Sequence, residues 1–259
     1  MAKILAITNQ KGGVGKTTTT VNLAASLVAA KRRVLLIDLD PQGNATMGSG
    51  IDKQHLQATV YHVLLEQSTL AQVRVKAGSG NFDLIPANRE LAGAEVELVG
   101  EARRETRLKT ALTEVEDQYD FILIDCPPAL NLLTVNGLCA ARAVMIPMQC
   151  EYYALEGLSD LVGTIKRVRA HLNPTLEIEG LLRTMFDPRN MLAQQVSDQL
   201  QQHFGDKVYR TIIPRNVRLA EAPSFGKPVL YHDRASKGAL AYLALASELI
   251  KKQAKTVPA

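Results

Sequence analysis

The chain has 259 residues, 46% of them hydrophobic and 22% charged, with a formal net charge of +4. That is enough chain for one α/β domain with a large core, and its composition excludes a disordered or fibrous protein. The modest positive balance permits a polyanionic partner without requiring one.

Residues 4–8 read as a first strand. The run Gln10-Lys11-Gly12-Gly13-Val14-Gly15-Lys16-Thr17-Thr18 follows, and then a helix with Val21, Ala24, Ala25 and Val28 on one face. Further strands are predicted over 34–38, 82–86, 121–125, 143–147, 178–185 and 208–213, and helices over 155–171, 192–203 and 236–252. The strand runs are mostly apolar rather than alternating, as expected where both sheet faces are covered. Alternation of strand and helix predicts an α/β fold with a doubly wound, mostly parallel sheet flanked by helices. One domain is expected over 1–259, with a frayed tail over 251–259. No run of 18 apolar residues is present, and the apolar stretch after Met1 is too short for a signal peptide. Cys126, Cys139 and Cys150 are odd in number and lack C-x-x-C spacing, so reduced thiols of a cytoplasmic protein are expected.

A strand, a glycine-rich run ending in Gly-Lys-Thr, and a helix make a phosphate-binding loop. Gly12, Gly13 and Gly15 let backbone N–H groups approach phosphate, and the helix N-terminus adds partial positive charge. Lys16 is expected on the β and γ phosphates and Thr17 on Mg²⁺. The usual pattern has a glycine five places before Gly15. Gln10 stands there, followed by Lys11. One lysine suffices for the phosphates, so Lys11 needs another task.

Two predicted strands end in carboxylates, at Asp38-Leu39-Asp40 and at Asp125. In a parallel sheet both ends fall beside the loop. Asp125 fits a carboxylate that supports Mg²⁺ through water. Asp40 fits one that orients or deprotonates an attacking water.

These residues resemble the ParA/Soj family of chromosome- and plasmid-partitioning ATPases, phosphate-loop proteins of the deviant Walker A class that also includes MinD. The resemblance covers nearly the whole chain, through residues 11–18, 38–44, 91–95, 125–128, 149–157 and 213–223. It implies that ATP, with Mg²⁺, joins two chains as a sandwich dimer. Lys11 would then reach the partner's phosphates in trans, and Gly12 must stay small where the subunits meet. The nucleotide would be held by residues 11–18, Val14 and Thr18 included, with Pro214 and Asn216 in the segment that holds adenine. It further implies a surface for DNA without sequence preference at Arg189 and Arg218, which Lys166, Arg167 and Arg169 could extend. Hydrolysis would be stimulated by ParB, a centromere-binding protein, on the nucleoid in the cytoplasm. The chain starts three residues before its first strand, leaving no room for an operator-reading domain, so specific DNA recognition by this chain alone is not expected.

Three alternatives share the loop. A MinD-like membrane switch needs an amphipathic terminal helix, but after Ile250 only Ala254 and Val257 are apolar before Pro258. An iron–sulphur carrier needs two suitably placed cysteines per chain. A small-molecule ATP-dependent ligase would give no reason for the blocks at 151–157 and 214–223. Arg103, Arg104 and Arg107 neighbour Glu101 and Glu105, and internal ion pairs are expected there.

Overall fold

The computed structural model describes residues 2–256. Its strands are β1 (Lys3–Ile7), β2 (Val34–Asp38), β3 (Val75–Lys76), β4 (Asp83–Ile85), β5 (Phe121–Asp125), β6 (Ala143–Gln149) and β7 (Glu177–Thr184). They form one seven-stranded sheet in the order β3-β4-β2-β5-β1-β6-β7. Every neighbouring pair is parallel except β3–β4 at the edge.

Successive side chains of a strand point to opposite faces, and here both faces are apolar. Ile4, Ala6, Leu35 and Ile37 enter one core layer, and Leu5, Ile7, Val34 and Leu36 enter the other. Helices Leu132–Ala140, Ala154–His171 and Met191–Phe204 cover the first layer with Leu133, Leu158 and Leu200. Helices Lys16–Ala29 and Lys237–Thr256 cover the second with Leu23, Leu27, Leu245 and Leu249. This is the doubly wound arrangement expected. Among the described residues no helix is long and apolar enough to cross a membrane.

The structure corrects three expectations. Residues 208–213 form no strand. Val208 makes an isolated bridge to Leu181, and Pro214 another to Phe186. Between them, the Arg210 and Thr211 N–H groups donate to the Glu248 carboxylate, and the Arg183 guanidinium donates to the Tyr209 carbonyl. Tyr209 N–H and Ile213 N–H still donate to the Leu181 and Arg183 carbonyls of β7, but between them side chains take the bonds that a continuous ladder would need. The seventh strand is instead β3, two residues pairing antiparallel with β4. Third, the last helix continues to Thr256, past its predicted end at residue 252. Leu249 anchors it, and the Lys252 ammonium stands 4.2 Å from the centre of the Tyr209 ring. Residues 257–259 of the expected tail lie outside the described residues. The expected ion pairs are present, Arg104 with Glu105 and Arg107 with Glu101, and Arg107 also pairs with Glu66.

One contact between distant segments is made by backbone alone. Gly50 and Gly226 both have positive φ, at 81° and 60°. A Cβ on Gly50 would lie 2.7 Å from the Gly226 carbonyl oxygen, and one on Gly226 would lie 2.9 Å from the Gly50 Cα.

Candidate active site

The sheet register places Ile7 level with Asp125, and Asp125 level with Asp38. The loops after β1, β2 and β5 therefore leave the sheet side by side at its carboxyl edge. A cavity of about 520 Å³ opens there, lined by Gly12, Gly13 and Gly15 to Thr18 of the first loop, by Asp40 to Gln42 and Asn44 of the second, and by Pro128 and Met185.

The first loop is held from outside. Asn9 donates to the Pro147 carbonyl at 2.8 Å and accepts from the Lys11 N–H at 3.0 Å. Thr184, the last residue of β7, donates to the Val14 carbonyl at 2.7 Å. Gly13 and Gly15 take φ of 73° and 88°, which only glycine adopts freely. Lys16 is buried, and its ammonium donates to the Lys11 carbonyl at 3.0 Å. Burial holds its pKa below the usual lysine value, against the opposing pull of Asp125 and Asp40. A buried cation facing a glycine-lined cavity is suited to phosphate.

Asp125 and Asp38 are fully buried. Asp125 Oδ1 accepts from the Thr20 hydroxyl at 3.0 Å, while Oδ2 is buried without a hydrogen-bond partner. The Thr17 hydroxyl is close enough to Asp125 to pull its pKa down by hydrogen bonding, and the oxygens of the two make a donor set that fits Mg²⁺. Desolvation, then the charge of Asp38, raises the Asp125 pKa to about 8. Desolvation raises Asp38 to about 6, against the hydrogen bonds it accepts from Thr46. A carboxyl whose folded pKa lies above its unfolded value binds protons better when folded. Stability is then lost as pH rises from about 4 through about 8. Without Mg²⁺ or nucleotide, the melting temperature is expected to fall by roughly 5 °C or more between pH 5 and pH 8. Asp125→Asn should flatten this slope, and thermal melts across that range in EDTA would check it.

The other candidate residues are distributed as follows. Asp40 lines the cavity, with Oδ1 accepting from the Gln42 N–H at 2.9 Å. Lys11 does not line it. Its ammonium pairs with Glu151 of the same chain, both side chains about half exposed. Pro214 and Asn216 also lie outside the lining, and the Asn216 side-chain oxygen caps helix Val217–Glu221 by accepting from Leu219 N–H. Arg189 and Arg218 sit on neighbouring segments, joined where Phe186 N–H donates to the Ile213 carbonyl. Each is paired, Arg189 with Asp187, and Arg218 with Glu221 and Asp233. Met185 and Thr184 were not singled out from the sequence, although the end of a parallel strand is where ligand-facing residues gather. The three cysteines are buried and free, and burial raises each thiol pKa, which suits packing rather than cluster ligation.

A family model described as an AAA domain matches residues 2–178. The sporulation initiation inhibitor protein Soj of Bacillus subtilis is 55% identical over 249 residues, covering 96% of this chain and 98% of Soj. The chromosome partitioning protein ParA of Caulobacter vibrioides is 53% identical over 253 residues, covering 97% of this chain and 95% of that one. This chain belongs to the ParA/Soj family of chromosome-partitioning ATPases. Among solved structures, a cobyrinic acid a,c-diamide synthase from Mycobacterium smegmatis, with bound ADP and magnesium, has a TM-score of 0.87 at 38% identity. It covers 99% of this chain and 97% of its own. That name belongs with the ligase alternative, but the identity is lower than to the two partitioning proteins of the ParA/Soj family.

Proposed function

We propose that this chain is a Mg²⁺-dependent ATPase that drives DNA segregation by switching between single and paired states. The observation that carries the reading is the meeting of Lys16, Thr17, Asp40 and Asp125 where β1, β2 and β5 end. Backbone N–H groups of residues 12–18, with Lys16, hold the triphosphate. Thr17 and Asp125, the latter through water, hold Mg²⁺, which when bound neutralises charge on the phosphates. Asp40 orients the attacking water. The segment with Pro214 and Asn216 holds the adenine. Lys11 leaves Glu151 and reaches the phosphates of a second copy, so that the ATP-bound homodimer, with Gly12 at its seam, is the hydrolysing species.

The paired state binds duplex DNA without sequence preference through Arg189 and Arg218. A ParB-type centromere-binding protein stimulates hydrolysis and releases it, in the cytoplasm and on the nucleoid. The acidic partners of the two arginines are exposed or partly exposed, and such surface pairs exchange readily for phosphate. Arg218→Glu would place a third carboxylate beside Glu221 and Asp233. It is expected to remove ATP-dependent retention on arbitrary duplex at low salt while leaving dimerisation intact. Retention unchanged from the parent would set the arginine assignment aside.

The deciding experiment is size-exclusion chromatography with ADP or ATP, with and without non-specific duplex. A shift to the dimer and then to a DNA-bound species with ATP alone is expected. ATP turnover that rises with cobyrinic acid rather than with DNA would favour the ligase reading.

A further inference from the structure

We infer that Thr46 is the positioning residue that sets the geometry of the Asp40 segment. The inference rests on the reading of Asp40 as the water-orienting carboxylate.

The Asp38 carboxylate grips this segment at both ends. Its Oδ1 accepts from the Asp40 N–H at 3.1 Å. Its Oδ2 accepts from the Thr46 N–H at 2.8 Å and from the Thr46 hydroxyl at 2.7 Å. The same hydroxyl oxygen accepts from the Ala87 N–H at 3.0 Å, two residues beyond β4. Between the two anchors the chain closes on itself, with Gly43 N–H donating to the Asp40 carbonyl at 2.8 Å.

Thr46 and Asp38 are both fully buried, so no water replaces these bonds. The Thr46 hydroxyl is used once as donor and once as acceptor, and it ties the Asp40 segment to the ends of β2 and β4 together. Thr46 itself does not line the cavity, so it has no direct part in the chemistry. A side chain of the same shape without the oxygen would leave the Ala87 N–H unpaired and remove one of the three donors to Asp38. Of the far anchor only the Thr46 N–H bond to Asp38 would then remain, and the tie to the Ala87 N–H beyond β4 would be lost. Turnover depends on its carboxylate to within about an ångström, whereas nucleotide affinity depends mainly on the first loop.

The test compares Thr46→Val, Thr46→Ser and Asp40→Ala in the full chain with Mg·ATP and duplex DNA. ATP turnover and the Kd for a fluorescent ATP analogue are both measured. Thr46→Val is expected to lower kcat by about 10- to 100-fold with Kd within about threefold of the parent, and Thr46→Ser to restore kcat to within about twofold. A merely structural role would move Kd together with kcat. Should the valine variant fail to fold, Thr46→Ala takes its place under the same two readouts. Parent-like kcat in Thr46→Val, or an equal loss in Thr46→Ser, overturns the inference while an inactive Asp40→Ala keeps the reading of Asp40. An active Asp40→Ala removes that reading and this inference with it.

Discussion

Lys11→Ala is expected to lower partner-stimulated ATP turnover by about 10³-fold while the single chain still binds ATP. The size follows from charge supplied in trans to a transferring phosphoryl group, which contributes roughly 10³ to 10⁵ in rate. In the free chain Lys11 is occupied by Glu151. That pair is about half exposed on both sides and is worth no more than about 1 kcal/mol after solvent screening. A 10³-fold rate effect corresponds to about 4 kcal/mol. On the proposed trans reading, the contact with a second copy's phosphates would outweigh the Glu151 pair in the transition state, and Glu151 would cost little to leave. Light scattering with ATP should show the variant failing to form dimer, or forming dimer that does not turn over. Loss of ATP binding by the single chain would place Lys11 in cis and end the trans reading.

Asp40→Ala is expected to lower turnover by about 10²- to 10⁴-fold, the usual range for a lost acid–base group. ATP-dependent dimerisation should persist, because the phosphate contacts proposed for Lys16, the loop backbone and Lys11 do not involve Asp40. The variant separates two stages of the proposed cycle, and it should stay on DNA after the parent has been released. A variant that remains single with ATP would mean that Asp40 holds nucleotide rather than water. Asp38 is the instructive contrast. It is two residues away and equally acidic, yet it is fully buried and spends its oxygens on Asp40 and Thr46.

Much of this was legible along the chain because backbone geometry ties it to short spacings. β2 and β5 run over the predicted residues, each a run of four apolar residues stopped by aspartate. The phosphate loop reads from its glycines, because their φ values are a local requirement. What could not be read depends on partners far away in sequence. The run 208–213 has the β-branched look of a strand, but the Glu248 and Arg183 side chains take the hydrogen bonds at its centre, from Arg210 and Thr211 N–H and to the Tyr209 carbonyl. The two-residue β3 is too short to carry a periodic signal. Lys11 meets Glu151 across 140 positions, and Thr184 meets Val14 across 170. Asp187 and Glu221 lie two and three positions from Arg189 and Arg218, and Asp233 lies fifteen from Arg218, and spacing alone does not mark any of them as bonded. Thr46 sits just past the resembling block, and its importance depends on Ala87, which only the sheet brings near.

The contact between Gly50 and Gly226 has a consequence for how sequence change is tolerated. Each absent Cβ is excluded by a backbone atom of the other segment, not by a side chain. No replacement at one position can therefore make room for a side chain at the other. Because the two sites are in contact, their penalties are expected to be non-additive, and relief at either one must come from moving the backbone segments rather than from a compensating side chain.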